Sequence, residues 1–343
     1  MSNKSSSNLY IPSILEAADM IRSCYAQKDY QQLNTIIAYL NSQQVMEHIA
    51  GTADQFHNAS VRLTHDGFYD LAYGLLENAG IKRNPRNTDL LGDLLLYGAR
   101  CRQRDDLRKW YDQLVSIPKR FWTWRAYQFS FDYLMETLPY AETDDELLIR
   151  EKEIESVFST FKENFRYLKD KSDREKAYMM EYEFYSSKGE DELALKALAD
   201  GVEALPGKCA QCAMKYANHQ FEMGNYTDAA EYAKIAVEVK EDQASISLGY
   251  TYYILAMSLE QLARKDNAIN IANRLQAIYS AYYAAYQYME SGRENLKKSI
   301  KMQVLSLEFD SKVPSNIDFN KLDQEAKKAL SGLLQMLASS DEE

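Results

Sequence analysis

Three stretches, Gly67-Phe68-Tyr69-Asp70-Leu71-Ala72, Gly189-Glu190-Asp191-Glu192-Leu193-Ala194 and Gly224-Asn225-Tyr226-Thr227-Asp228-Ala229, each place a glycine five residues before an alanine. A glycine supplies the backbone freedom of a tight turn, and a small residue early in the following helix lets a neighbouring helix come close. Downstream of each alanine, apolar or small residues return at helical spacing: Leu76 and Ala79, Leu198 and Gly201, Ala233 and Ala236. The same frame, with a poorer turn residue, fits Lys28 with Leu33, Arg102 with Leu107, and Ala263 with Ala268. Adjacent turns are then 39, 35, 35 and 39 residues apart. A period of that length is one helix–turn–helix unit and predicts a stacked α-solenoid.

The pattern resembles the tetratricopeptide repeat (TPR), in which a glycine-containing turn precedes a tyrosine and then an alanine on the second helix, and a proline closes the unit. Met214 to Val239 matches best, through Gly224, Tyr226, Ala229 and Ala236, and Pro206 stands seventeen residues after Gly189, where the closing proline falls. The match is good over about 175–280 and is carried only by period and by small or apolar positions further towards the N-terminus. The resemblance implies a right-handed superhelix of about seven antiparallel helix pairs, and a peptide-binding inner face. Some members hold a chaperone's C-terminal carboxylate with lysine, arginine and asparagine. Here the candidate asparagine, Asn218, has Met214 one turn before it. A thioether cannot bind a carboxylate, so that mode is not expected.

Composition agrees with an all-α chain. Among 343 residues, 46% hydrophobic, there are only 13 glycines and 6 prolines, and Pro12, Pro85, Pro118, Pro139, Pro206 and Pro314 all fall where helices begin or end. Alternating β-branched runs do not persist. The first nine residues are polar and serine-rich, without the basic and apolar parts of a secretory signal, and no apolar run reaches the length of a membrane span. Four cysteines in so long a chain make no disulfide framework. A cytoplasmic protein is expected, with residues 1–9 a disordered tail, 10–280 the repeat array, 281–339 capping helices and 340–343 an acidic tail.

Cap signatures set the helix starts. Ser13 with Glu16, Thr143 with Glu146 and Ser172 with Glu175 have capping-box spacing. The predicted pairs are 14–27 with 30–41, 44–65 with 69–79, 88–101 with 105–116, 120–136 with 146–167, 174–188 with 191–204, 208–223 with 226–239, and 245–262 with 266–278. A further helix is predicted over 281–307. Another follows Pro314, over 319–338, where Leu322, Ala326, Ala329, Leu330, Leu333, Met336 and Leu337 form an apolar stripe that caps the stack, mediates dimerisation or docks a partner.

Motifs for chemistry are scarce. Cys209-Ala210-Gln211-Cys212 has no second cysteine pair, and His219, two helical turns beyond Cys212, is too far along the axis to share an ion with it. The histidines His48, His57, His65 and His219 form no HExxH pair, and neither a GxSxG elbow nor a phosphate-binding glycine loop occurs. The abundant carboxylates suit solvated helix faces. No catalytic residue, cofactor or metal is therefore expected.

Charge is unevenly spread. Residues 82–125 hold eleven basic side chains against five acids, while the whole chain carries a net charge of −11. The chain's three tryptophans, Trp110, Trp122 and Trp124, lie in the same band. Arginine beside tryptophan suits either a protein hot spot or a platform that stacks bases. Alternatively, the tryptophans fill the core and the arginines pair with neighbouring acids. Candidate partner contacts in the band are Arg100, Arg104, Arg108, Trp122, Trp124 and Arg125. Tyrosine is common, 26 residues, and Tyr250, Tyr253 and Met257 lie where the resembling family lines its inner surface, as does Asn218. These readings lead to a non-enzymatic scaffold that binds a protein segment. A peptide-responsive sensor and a solenoid for RNA or single-stranded DNA are the alternatives, the latter opposed by the chain's overall negative charge.

Overall fold

In the computed structural model, residues 11–101, 104–168, 172–239, 246–266 and 272–309 are described. The predicted helix at 319–338 and both tails lie outside these residues. Among them every regular element is helical. The chain divides into two compact units, 1–184 and 185–343.

Unit 1 begins with α1 (Ile14–Ala26), opened by the predicted box: Ser13 N–H donates to Glu16 Oε2 at 2.8 Å, and Glu16 N–H donates to Ser13 Oγ at 3.3 Å. It continues through α2 (Tyr30–Leu40), α3 (Gln43–His48) and α4 (Ala53–His65). Next come α5 (Tyr69–Leu75), a π-helical turn (Leu76–Gly80) and α6 (Ile81–Arg83), then α7 (Thr88–Arg100), α8 (Arg104–Val115), α9 (Trp124–Thr137) and α10 (Asp144–Glu163). The first helices of successive pairs lie side by side, α1 against α4, α4 against α7 and α7 against α9. The boundary between the units falls within α11 (Glu175–Ser187).

Unit 2 contains α12 (Asp191–Ala204), α13 (Ala210–Glu222), α14 (Tyr226–Glu238), α15 (Leu248–Lys265), α16 (Ala272–Tyr288) and α17 (Glu294–Phe309). Each of these packs on the next, and α13 also touches α15. This nearest-neighbour contact pattern is that of stacked helical hairpins.

One turn recurs in four copies. Gly67, Gly189 and Gly224 have φ of 87°, 71° and 78°, and Lys28 has φ of 59°. In each, the following residue donates to the carbonyl five positions back: Phe68 to Leu63, Glu190 to Tyr185, Asn225 to Gln220 and Asp29 to Cys24, at 2.9–3.0 Å. The turn residue itself donates to the carbonyl three back. This Schellman arrangement satisfies the carbonyls at the end of the first helix, and the second helix starts two residues after the turn residue. The small or apolar residue five positions on, Leu33, Ala72, Ala194 or Ala229, is buried in every copy.

Several boundaries differ from the sequence expectation. Ala263 is not a turn residue: it is buried inside α15, and that helix ends at Lys265. The span 44–65 is split, because Thr52 caps a new helix by accepting from Gln55 N–H at 3.3 Å. The helix placed at 281–307 does not start there. Instead α16 runs on to Tyr288, the chain breaks at Gly292 with φ of 94°, and α17 begins at Glu294. At Thr143 the box is not reciprocal: Glu146 N–H donates to Thr143 Oγ1, but the Glu146 carboxylate accepts from Glu142 N–H. Residues 172–174 form a 3-10 turn, so α11 starts at Glu175.

Candidate interaction surface

The tryptophans of the basic band belong largely to the core of unit 1. Trp110 is 3% exposed and its Nε1–H donates to the Tyr73 hydroxyl at 2.9 Å. Trp122, expected to meet a partner, is 4% exposed and donates to the Ile117 carbonyl at 3.0 Å. It precedes α9, whose N-cap is Thr123, so it does not share a helix with Trp124 as the sequence suggested. Trp124 is half-buried, with Lys176 Nζ over its ring and the Arg125 guanidinium 5.6 Å from the ring centre.

Several of the band's cations are also engaged within unit 1. Arg125 reaches Asp93 Oδ1 at 3.5 Å and His57 Nε2 at 3.0 Å, while His57 Nδ1 lies 2.6 Å from Asp93 Oδ2. Burial pushes the fully enclosed Asp93 carboxyl above its ordinary value, against the pull of His57 and Arg125. Arg108 donates to Asp112 at 2.8 Å, Lys109 lies 3.9 Å from Glu77, and Lys119 donates to Ser156 Oγ at 2.8 Å. Arg100, at the end of α7, is exposed. Arg104 opens α8, and its side chain lies outside the described positions. A base-stacking platform of exposed indoles is therefore not what residues 82–125 build: two of the three rings are in the core.

In unit 2 the structure brings the other four candidates together. The Tyr250 hydroxyl donates to Asn218 Oδ1 at 2.9 Å, and Asn218 Nδ2 donates to Glu222 Oε1 at 2.8 Å. Tyr250 and Tyr253, three apart on α15, have ring centres 6.2 Å apart. Tyr253 lies 6.4 Å from Tyr282 of α16, whose hydroxyl is 2.9 Å from Met257 Sδ and donates to Glu260 Oε2 at 2.6 Å. The row is anchored at its base by Glu260, which Arg264 grips through Nε at 3.1 Å and Nη2 at 2.6 Å. Burial, and for Tyr282 the bond to Glu260, raise the Tyr253 and Tyr282 phenols above their ordinary values. Both stay neutral donors at physiological pH.

A scan against protein-family models and a search of curated proteins find no match to this chain. Among solved structures it is similar to a STAND signal-transduction ATPase with a tetratricopeptide-repeat sensor from Pyrococcus horikoshii, at 11% identity and a TM-score of 0.41. That likeness covers 86% of this chain and 48% of the ATPase, so the chain spans about half its length. It is also similar to the TPR2AB domain of yeast Sti1 in its pHSP90 complex, at 13% identity and a TM-score of 0.27, covering 86% of this chain and 98% of that one. A circular tandem repeat protein is matched at 15% identity and a TM-score of 0.21, over 87% of this chain and 70% of that one. The chain's own Schellman hairpins make it an all-α helical repeat.

Two members of the unit 2 row were not evident in the sequence. Arg293 places its guanidinium 4.5 Å from the Tyr250 ring centre, and Lys297 places Nζ 5.3 Å from that of Tyr286. Both come from the start of α17 and add positive charge beside the aromatic rings. The unnoticed cue was Ser291-Gly292, the turn that ends α16 and sets α17 against α15 and α16. Among the described helices none is long and apolar enough to cross a membrane.

Proposed function

We propose that unit 2 is a peptide-holding module and that the chain works as a non-enzymatic interaction scaffold. One observation carries this reading. Asn218 of α13 and Tyr250, Tyr253 and Met257 of α15, far apart in sequence, make a continuous row of half-buried polar and aromatic side chains, backed by the buried Tyr282 of α16 and flanked by Arg293 and Lys297. Half-buried tyrosines give large contact area at low ordering cost, and a row held by hydrogen bonds loses little freedom on binding. The two cations favour a segment that carries carboxylates beside apolar or aromatic side chains.

Displayed peptides from a random library that lacks lysine and arginine, selected on the full chain, test the reading. Peptides from that selection should bind at least ten-fold more weakly to Tyr253→Ala and to Arg293→Glu, as measured by fluorescence anisotropy, and equally well to Arg100→Glu. Peptides that bind both unit 2 variants as tightly as the parent chain would remove this row from consideration.

A further inference from the structure

In unit 1, a cavity of about 280 Å³ opens between α7, α9 and α11. Its walls are apolar and aromatic, with Leu95, Leu96, Phe129, Phe131 and Met135 among them. Half-buried Asp132 of α9 lies in the lining, and the exposed side chains of Glu136 on α9, Glu183 on α11 and Arg100 on α7 stand at the rim. Asp132 accepts a hydrogen bond from Gln128 Nε2 at 2.8 Å, its one donor among the described residues. The Phe129 ring already has the Arg125 guanidinium 5.6 Å from its centre. An aliphatic lining with aromatic rings around the half-buried carboxylate of Asp132 is complementary to a long side chain that ends in a cation. The three carboxylates do not converge closely enough to share a metal ion. The charge is spread over a space the size of a side chain.

We propose that this cavity receives an arginine or lysine side chain of a protein partner, at a site separate from the aromatic row of unit 2. The stem would lie along Leu95, Leu96 and Met135, and the charged head would replace water beside Asp132 and Glu183. Burial, with Glu183 and Glu136 nearby, pushes the Asp132 carboxyl up to about 6, opposed by the Gln128 hydrogen bond and the Arg100 charge. A cation seated there favours the ionised carboxylate, so affinity rises with pH through about 6 and binding in turn releases a proton.

The experiment is a second selection of random displayed peptides on the full chain at pH 7.5, followed by affinity measurement of individual peptides. The expected result is a recurrent arginine or lysine. Its exchange for citrulline or norleucine should weaken binding at least ten-fold, as should the double variant Asp132→Asn with Glu183→Gln. A second double variant, Asp191→Asn with Glu192→Gln, changes net charge equally on an exposed helix start in unit 2 and should leave affinity unchanged, as should Tyr250→Ala. Lowering the pH to 5 should weaken binding to the parent chain several-fold more than to Asp132→Asn. Circular dichroism identifies any variant that fails to fold, and Asp132→Asn alone, which removes a poorly solvated charge, keeps the test available. Recovery of no basic peptide, or basic peptides indifferent to Asp132 and Glu183, would overturn the proposal. Failure here leaves the unit 2 reading untouched, since that rests on different peptides and different variants.

Discussion

Lys28 is the one non-glycine residue with positive φ among the described residues, and it occupies the position that glycine takes in the other three copies of its turn. A side chain with a β-carbon is strained there by about 1 kcal/mol. Lys28→Gly should therefore stabilise unit 1 by up to about 0.5 kcal/mol in urea unfolding, after the greater freedom of glycine in the unfolded chain is allowed for. A loss of stability would mean that the Lys28 side chain makes contacts worth more than the backbone strain. Asp132 is a second residue with a measurable cost. Its carboxyl is raised from 3.8 to about 6, so the folded protein holds that proton more tightly than the unfolded chain does. Its effect on stability is then neutral below the unfolded value, becomes unfavourable as pH rises from 3.8 towards 6, and is constant above that. Asp132→Asn should raise stability by about 1–3 kcal/mol at pH 7.5 and by little near pH 3.5. Equal gains at both pH values would exclude titration of Asp132 as the cause.

At the scale of elements, close approach governs the join between α15 and the end of α16. A β-carbon on Gly249 would lie 2.5 Å from both Cα and N of Met289, backbone atoms that cannot swing aside. Gly249→Ala should cost about 2 kcal/mol or more and lower the thermal midpoint of unit 2, read by circular dichroism. An unchanged midpoint would show that α16 can shift freely against α15. The same elements mark how far the sequence could be read. Helix pairs were legible because turn glycines and buried alanines recur at a fixed period, and Gly67, Gly189 and Gly224 all adopt the turn conformation this implies. Where the period alone was followed, as at Ala263, the reading failed, because a small residue can equally be core, and Ala263 is buried within its helix. Of the candidate contacts, Asn218, Tyr250, Tyr253 and Met257 could be placed together because helical spacing and repeat register say which residues share a row. Trp122 could not be judged in this way. Its burial depends on Thr123 starting α9 and on the Ile117 carbonyl receiving the indole N–H, and neither is visible in the local pattern. Glu183 escaped notice because its approach to Asp132 depends on the packing of helices fifty residues apart.

For the molecule as a whole, the division into two units, each built from nearest-neighbour helix contacts, means that cooperativity need not extend along the entire chain. The separate binding sites proposed for the two units would then be able to act independently. All three indoles lie in unit 1, and the second unit has tyrosine as its largest fluorophore. Emission excited at 295 nm, roughly the red edge at which only indole absorbs, thus follows unit 1 alone, whereas ellipticity at 222 nm sums helices from both units. The two denaturation curves should not superimpose, and coincident curves would establish a single transition. The placement of three aromatic side chains has equipped the protein with a native optical label on one half, so the order in which its halves melt can be observed without attaching a dye.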